Sequence, residues 1–327
     1  MENYFDVIII GSGPIGLACG IEAKRKGLSH LILEAGVLCN SIFHYPVNMT
    51  FFSTSRRLEI GDVPFVSHGD KPTRREALEY YRRVKEYWEL NVKLFEPVEN
   101  IINADVNYEL VSNKNKYFSK FVIIATGFYG RPNFMHVPGE SLPKVKHYYD
   151  DPHYYIDQKV IVIGGGNSAV DAALETYRKG ADVTMVVKKE KLDDGVKYWV
   201  RPDIENRIKE GSIKAYFNSS VKAIKEKEAQ ILTPDGDIII PNDYVLAMTG
   251  YHPDYKFLRK AGIEFTDDEI REPLYDKNNF ETNMKNIFVA GVVCGGMNTG
   301  KLFIENSRSH AKDIIDHIIK KNRQMAE

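Results

Sequence analysis

The most restrictive pattern in this chain is a short apolar run that breaks into a glycine-rich loop and then a helix, and it occurs twice. Val7-Ile8-Ile9-Ile10 runs into Gly11-Ser12-Gly13-Pro14-Ile15-Gly16, and Val160-Ile161-Val162-Ile163 runs into Gly164-Gly165-Gly166-Asn167-Ser168-Ala169. Branched apolar residues without alternation suit a strand buried on both faces of a parallel sheet. After the first loop, Leu17, Ala18 and Ile21 share one helical side, Gly27 ends the helix, and Leu31-Ile32-Leu33 forms the next strand, closing on Glu34. After the second, a helix through Ala173 and Tyr177 stops at Gly180, and the strand Val183 to Val187 closes on Lys188-Lys189.

The likeness of the two copies continues downstream. Val92 to Phe95, Val98 to Ile102 and Tyr108 to Val111 read as short strands, with Asn113-Lys114-Asn115 as a turn. Ile213 to Phe217, Val221 to Ile224, Ile231-Leu232 and Ile238 to Ile240 hold the same stage of the second copy, where Asp235-Gly236 signals a tight hairpin. Each meander leads to a strand with one ending, Val122 to Thr126-Gly127 and Val245 to Thr249-Gly250. An internal duplication explains this economically. The first copy carries an insertion, a loop from Ala35 to Pro72 and then a helix from Thr73, which has capping-box spacing to Glu76. Leu78, Tyr81, Val84 and Trp88 give that helix an apolar stripe. The tail adds a strand, Ile287 to Ala290, and a helix with Ala311, Ile314, Ile315 and Ile318 on one face. It has no glycine loop of its own and is expected to complete the first domain. The expected fold is α/β, two Rossmann-like three-layer domains with the second inserted in the first.

A pyrophosphate needs donors at close range, and a helix N-terminus supplies unpaired N–H groups and a positive dipole end. Gly11 and Gly13 suit the tight turn and Gly16 the close packing of helix on strand; Gly164, Gly166 and Ala169 play these parts in the second copy. Glu34 stands where a carboxylate would accept ribose hydroxyls, roughly 20 residues on. At the equivalent place Lys188 and Lys189 favour a 2′-phosphate, hence NADPH over NADH. Net charge is −1, which gives no ground for nucleic acid as a partner. No segment has the about 18 continuous apolar residues of a membrane span. Met1-Glu2-Asn3 lacks the basic start of a signal peptide, so a cytoplasmic protein is expected.

With both glycine loops, Ala125-Thr126-Gly127 and Thr249-Gly250 in place, the chain resembles two-dinucleotide-domain flavoproteins of the thioredoxin-reductase type over nearly its whole length. Within that group it is most similar to the bacillithiol-disulfide reductase (YpdA) family, on Asn40-Ser41-Ile42, Thr50-Phe51-Phe52-Ser53, Leu58 to Val63 and Phe303-Ile304-Glu305-Asn306. The resemblance implies an FAD-binding domain of residues 1–130 and 249–327 around an NADPH-binding domain of residues 131–248. It implies an FAD-dependent NADPH oxidoreductase acting on a low-molecular-weight disulfide such as bacillithiol disulfide, in a homodimer. The FAD site implied comprises Gly11, Ser12, Gly13, Pro14, Ile15, Gly16, Glu34, Ala35, Asn40, Ser41, Tyr45, Thr50, Val98, Thr126, Gly127, Gly291 and Val292. The NADPH site implied comprises Gly164, Gly166, Asn167, Ser168, Ala169, Lys188 and Lys189.

Three departures bear on mechanism. The thioredoxin-reductase C-x-x-C is absent from the sequence. The bacillithiol-linked family often has a cysteine after the proline of its first loop, and Ile15 stands there. The Gly-Asp of the C-terminal FAD motif reads Gly291-Val292. The remaining thiols are Cys19, inside the first helix, Cys39, in the inserted loop, and Cys294, read as preceding the last helix, whose dipole would lower its pKa. Cys39 and Cys294 are the candidate redox thiols. Without a cysteine pair, a ferredoxin- or flavodoxin-NADP reductase is the alternative, with a small redox protein as acceptor; a flavin monooxygenase or a flavin-loaded sensor follows. His44, Tyr45 and Phe51-Phe52 either face a flavin or pack the inserted loop. His252 and His310 read as surface residues, and His136-Val137-Pro138 as an interdomain linker. No His/Cys spacing suits a metal.

Overall fold

A computed structural model describes residues 3–104 and 107–326. Met1 and Glu2, on which the N-terminal reading rests, lie outside the described residues. Along the chain come β1 (Tyr4–Ile10), α1 (Pro14–Arg25), β2 (His30–Leu33), α2 (Asn40–Phe43), α3 (Arg74–Tyr87), β3 (Val92–Lys93), β4 (Val98–Ala104), β5 (Asn107–Ser112) and β6 (Lys116–Ile124). There follow β7 (Val145–Lys146), β8 (Lys159–Ile163), α4 (Asn167–Arg178), β9 (Asp182–Val186), α5 (Arg201–Lys209), β10 (Lys214–Tyr216), β11 (Ser220–Ile224), β12 (Glu228–Thr233), β13 (Gly236–Pro241) and β14 (Tyr244–Ala247). The last are α6 (Tyr255–Lys260), β15 (Ile287–Val289), α7 (Ile304–Ser307) and α8 (His310–Ala326). The chain forms two units. One comprises Met1–His44, Met49–Arg131 and Tyr251–Glu327, the other Tyr45–Asn48 and Pro132–Gly250.

In the first unit the strands run β3-β2-β1-β6, with β5 and β4 continuing from β6 and β15 also paired to it. β6 explains this branching. Its first half pairs antiparallel with β5, and residues 122–124 pair parallel with β15, while β1 lies along nearly its whole length. The tail strand therefore completes the parallel sheet where the meander leaves it. Helices α1 and α8 pack together, and Ala311, Ile314, Ile315 and Ile318 are all buried, as the apolar face of α8 requires.

In the second unit the parallel sheet runs β10-β9-β8-β14-β7, and β11-β12-β13 form a separate antiparallel sheet. Period-two alternation sorts the strand side chains into two cores. Val160 and Val162 pack with Ala169, Val170 and Ala173 of α4. Ile161 and Ile163 pack with Val221, Ile224 and Ile231 of the small sheet. The unit is thus three layers, a helical layer, a parallel sheet and a three-stranded sheet.

Several expectations need correction. β3 stops at Lys93 because Phe95 takes a left-handed φ of 53° and donates its N–H to the Gly36 carbonyl, turning the chain. The buried face of α3 is Ala77, Tyr80, Tyr81 and Val84, with Leu78 and Trp88 only half-buried. The Thr73–Glu76 capping box is formed. His136-Val137-Pro138 is not a linker: Val137 packs on the small-sheet core, and the Pro138 carbonyl accepts from Ile224 N–H at 2.8 Å. The chain passes between units at Arg131–Pro132 and Gly250–Tyr251, and also at either end of residues 45–48. Among the described residues, no helix is long and apolar enough to cross a membrane.

Candidate functional site

In the first unit the chain turns out of β1 at Gly11, whose φ is 107°. A Cβ there would lie 2.6 Å from the Ala125 carbonyl oxygen, so both conformation and space demand glycine. A Cβ on Gly16 would lie 1.9 Å from the Gly11 carbonyl oxygen, which lets α1 begin directly on the strand end. Gly13 is different, because no described residue lies within 4 Å of the place its Cβ would take. It is the N-cap of α1, and no side chain caps the helix. The first-turn N–H groups and the open face of Gly13 make a cradle for an anion.

Around this cradle the other residues converge at the carboxyl ends of the strands, where ligands of open α/β sheets bind. Glu34 is buried; its Oε2 accepts from Ser12 N–H at 2.8 Å and Ser12 Oγ at 3.0 Å, and its Oε1 from Gly36 N–H at 2.9 Å. Two carboxylate oxygens have further lone pairs for ribose hydroxyls. Among the described residues Thr126 Oγ1 is buried with no partner, whereas the matching Thr249 hydroxyl of the second copy donates to the Asn133 carbonyl at 2.5 Å. A buried unsatisfied hydroxyl beside an anion cradle marks a group awaiting a polar partner. Gly291, at φ 81°, lies against Ile15, and Val292 lies against Gly127. These features fit a dinucleotide with its pyrophosphate on α1.

Other expected residues fall in varied places. Ala35 is exposed and Ser41 half-buried. Asn40 uses Oδ1 to accept from Val37 N–H, bracing the turn after Glu34. Thr50 bridges to Thr73 at the foot of α3, and Val98 opens β4 opposite Ser112. Tyr45 groups with the second unit together with residues 46–48, whereas His44 and Met49 group with the first. Phe51 is buried and Phe52 exposed.

The thiols are all buried. Burial pushes Cys19 up to about 12, with Glu22 adding to the rise. Burial, then the charge of Glu34, pushes Cys39 well above the ordinary thiol range, and burial does the same for Cys294. Cys294 lies within a short 3-10 turn, residues 291–295, so the expected lowering by the last helix does not operate. The thiolate is the reactive form, and none of these sites favours it.

His310 corrects a second expectation. It is buried, 7% exposed, stacked on Phe280 with centroids 4.1 Å apart, and its Nδ1 accepts the Gly291 N–H at 3.2 Å. Burial lowers its pKa to about 4. Its bond occupies the Gly291 amide. Periodicity held the clue: His310 stands four residues before buried Ile314 on one helical face.

The second unit repeats the device. Gly164 has φ 128°, and a Cβ there would lie 2.4 Å from the Met248 carbonyl oxygen, as Gly11 does with Ala125. α4 is N-capped by Gly166 with no side-chain cap. Here the loop after β9 folds back over the glycines: Asp193 N–H donates to the Gly165 carbonyl at 2.9 Å. Asn167 is committed to that loop, Nδ2 donating to the Gly195 carbonyl and Oδ1 accepting from Lys197 N–H, both at 2.8 Å. Lys197 pairs with Asp171 at 2.7 Å. Lys188, Lys189 and Ser168 are exposed, and Lys189 pairs with Asp193 at 2.6 Å. No spacing rule singled out Asp193, because Glu190 and Asp194 offer carboxylates in the same short stretch after Lys189.

A family model described as pyridine nucleotide-disulphide oxidoreductase matches residues 8–291. The chain is 43% identical to a bacilliredoxin reductase Bdr of Bacillus subtilis, covering 96% of this chain and 97% of that one. It is 41% identical to a solved bacillithiol disulfide reductase Bdr (YpdA) from Staphylococcus aureus, with a TM-score of 0.95, covering 98% of this chain and 99% of the other. A ferredoxin–NADP reductase of Ignicoccus hospitalis is 29% identical, covering 88% of this chain and 89% of that one.

Proposed function

We propose a function from one established premise: this chain belongs to the pyridine nucleotide-disulphide oxidoreductase family. It is an FAD-dependent, NADPH-dependent flavoprotein reductase. We assign FAD to the first unit, with its pyrophosphate on Gly13 and the α1 N-terminus and its ribose on Glu34. We assign NADPH to the second, on Gly166 and the α4 N-terminus. The acceptor proposed is a bacillithiol-type disulfide, in a cytoplasmic homodimer. The net reaction consumes NADPH, one proton and the disulfide, and yields NADP+ and two thiols. The observation that carries the acceptor is the likeness, across the whole chain, to reductases whose names specify bacilliredoxin and bacillithiol disulfide.

When bound, NADPH supplies two electrons and FAD relays them to the acceptor. The chain's own residues hold and orient. Gly11 and Gly16 bring the α1 dipole onto the strand ends, Thr126 offers its unpaired hydroxyl, and Ile15 with Gly291 closes an apolar wall beside them. No residue supplies a ready thiolate, since Ile15 stands where relatives of this type often carry a cysteine and all three thiols are buried. The same observation favours a second reading, a ferredoxin- or flavodoxin-type acceptor.

The test is anaerobic reduction of the yellow holoprotein with NADPH, then re-oxidation by bacillithiol disulfide, glutathione disulfide, ferredoxin or flavodoxin. We expect bacillithiol disulfide to re-oxidise the protein fastest. Fastest re-oxidation by ferredoxin or flavodoxin selects the second reading.

A further inference from the structure

The two glycine loops are built alike, so each serves as a control for the other. The second glycine of such a loop lets the backbone approach the pyrophosphate, and the direction its Cβ would take is the face the phosphates need. At Gly13 that face is open, with no described residue within 4 Å. At Gly166 it is met at 3.3 Å by Asp193 Oδ2. A carboxylate is the wrong charge to leave beside a pyrophosphate, and its other oxygen, Oδ1, holds the ammonium of Lys189 at 2.6 Å. Lys189 is therefore not the unengaged reader of a 2′-phosphate that its place after β9 predicts.

Resting on the assignment of NADPH to this loop, we propose that Asp193 is an affinity-setting residue of the nucleotide site that competes with the nucleotide twice. Its carboxylate holds the pyrophosphate face of Gly166, and it holds the lysine that the 2′-phosphate would engage. Binding of NADPH turns the carboxylate off Gly166 and transfers Lys189 from Asp193 to the 2′-phosphate. NADH displaces the same carboxylate but gives the freed ammonium no phosphate in return. Asp193 thus weakens both nucleotides alike, and the preference for NADPH rests on the phosphate that the freed Lys189 meets.

The backbone of this loop does not depend on the carboxylate. Asp193 N–H donates to the Gly165 carbonyl, and Arg201 donates to the Asp193 carbonyl oxygen. Asp193→Asn therefore keeps the loop. The experiment is calorimetric titration of oxidised holoprotein with NADP+ and with NAD+, for wild type, Asp193→Asn, Lys189→Met and the double variant. Asp193→Asn should bind both nucleotides tighter, by roughly twofold to fivefold, the scale of exposed charge pairs. Lys189→Met should weaken NADP+ while leaving NAD+ no tighter than in wild type, since the unpaired carboxylate stays on Gly166. In the double variant the preference for NADP+ should shrink. Unchanged or weaker binding of both nucleotides by Asp193→Asn overturns the proposal. No binding of either nucleotide by wild type, with flavin retained, overturns the NADPH assignment instead.

Discussion

His310 shows what burial does to one side chain. Its Nδ1 must stay unprotonated to accept the Gly291 N–H, and desolvation keeps it so by lowering the pKa from 6.5 to about 4. The folded value lies below the unfolded one, so the unfolded chain takes up the proton first. The contribution to stability is complete above about pH 6.5 and is lost as pH falls toward 4, on the order of 3 kcal/mol in total. Asparagine offers an oxygen near the Nδ1 position and does not titrate. Urea midpoints measured from pH 7 to pH 4 should therefore fall more steeply for wild type than for His310→Asn. Parallel curves would sink this account. The residue was misread from sequence because a histidine at the head of a helix is usually solvated. The packing of Phe280 and the return of Gly291 to its Nδ1 are visible only in the folded chain.

At the scale of elements, α1 and its loop separate the demands of folding from those of binding. Gly11 and Gly13 look interchangeable in the sequence, but they answer to different partners. Gly11→Ala sets a Cβ against the Ala125 carbonyl at a φ of 107° and should cost stability, about 1–3 kcal/mol or more. Gly13 has φ −66° and open space before it, so Gly13→Ala should fold with an unchanged melting temperature once flavin is removed from both proteins. Its methyl group takes the face assigned to the pyrophosphate, so it should release FAD. The flavin-to-protein ratio after gel filtration, with apoprotein melting temperatures alongside, checks both halves. A flavin-replete Gly13→Ala protein would show that the pyrophosphate lies elsewhere.

At the scale of the molecule, electron exit follows from where the thiols lie. With Cys19, Cys39 and Cys294 all buried and all pushed toward the thiol form, a variant with alanine at the three positions should keep turnover with the natural acceptor within about threefold. Reduction of an artificial dye controls for folding and flavin loading. Loss of disulfide turnover with dye activity intact would install a single-thiol mechanism. The sequence alone determined the two strand–loop–helix repeats, because a buried strand entering a glycine loop leaves local marks in every residue it uses. Glu34, Lys188 and Lys189 were legible as strand-end residues for the same reason, and so was the buried face of α8. Tertiary structure decided what depends on distant partners. It set the branching of β6 between β5 and β15, the packing of Val137 on the small-sheet core with the Pro138 carbonyl bonded to β11, and the withdrawal of Cys294 from solvent. It also set Asp193 against Gly166, 27 positions away along the chain. Periodicity and propensity report on neighbours within a few residues, whereas burial and charge pairing are properties of surfaces that meet only when the chain has folded.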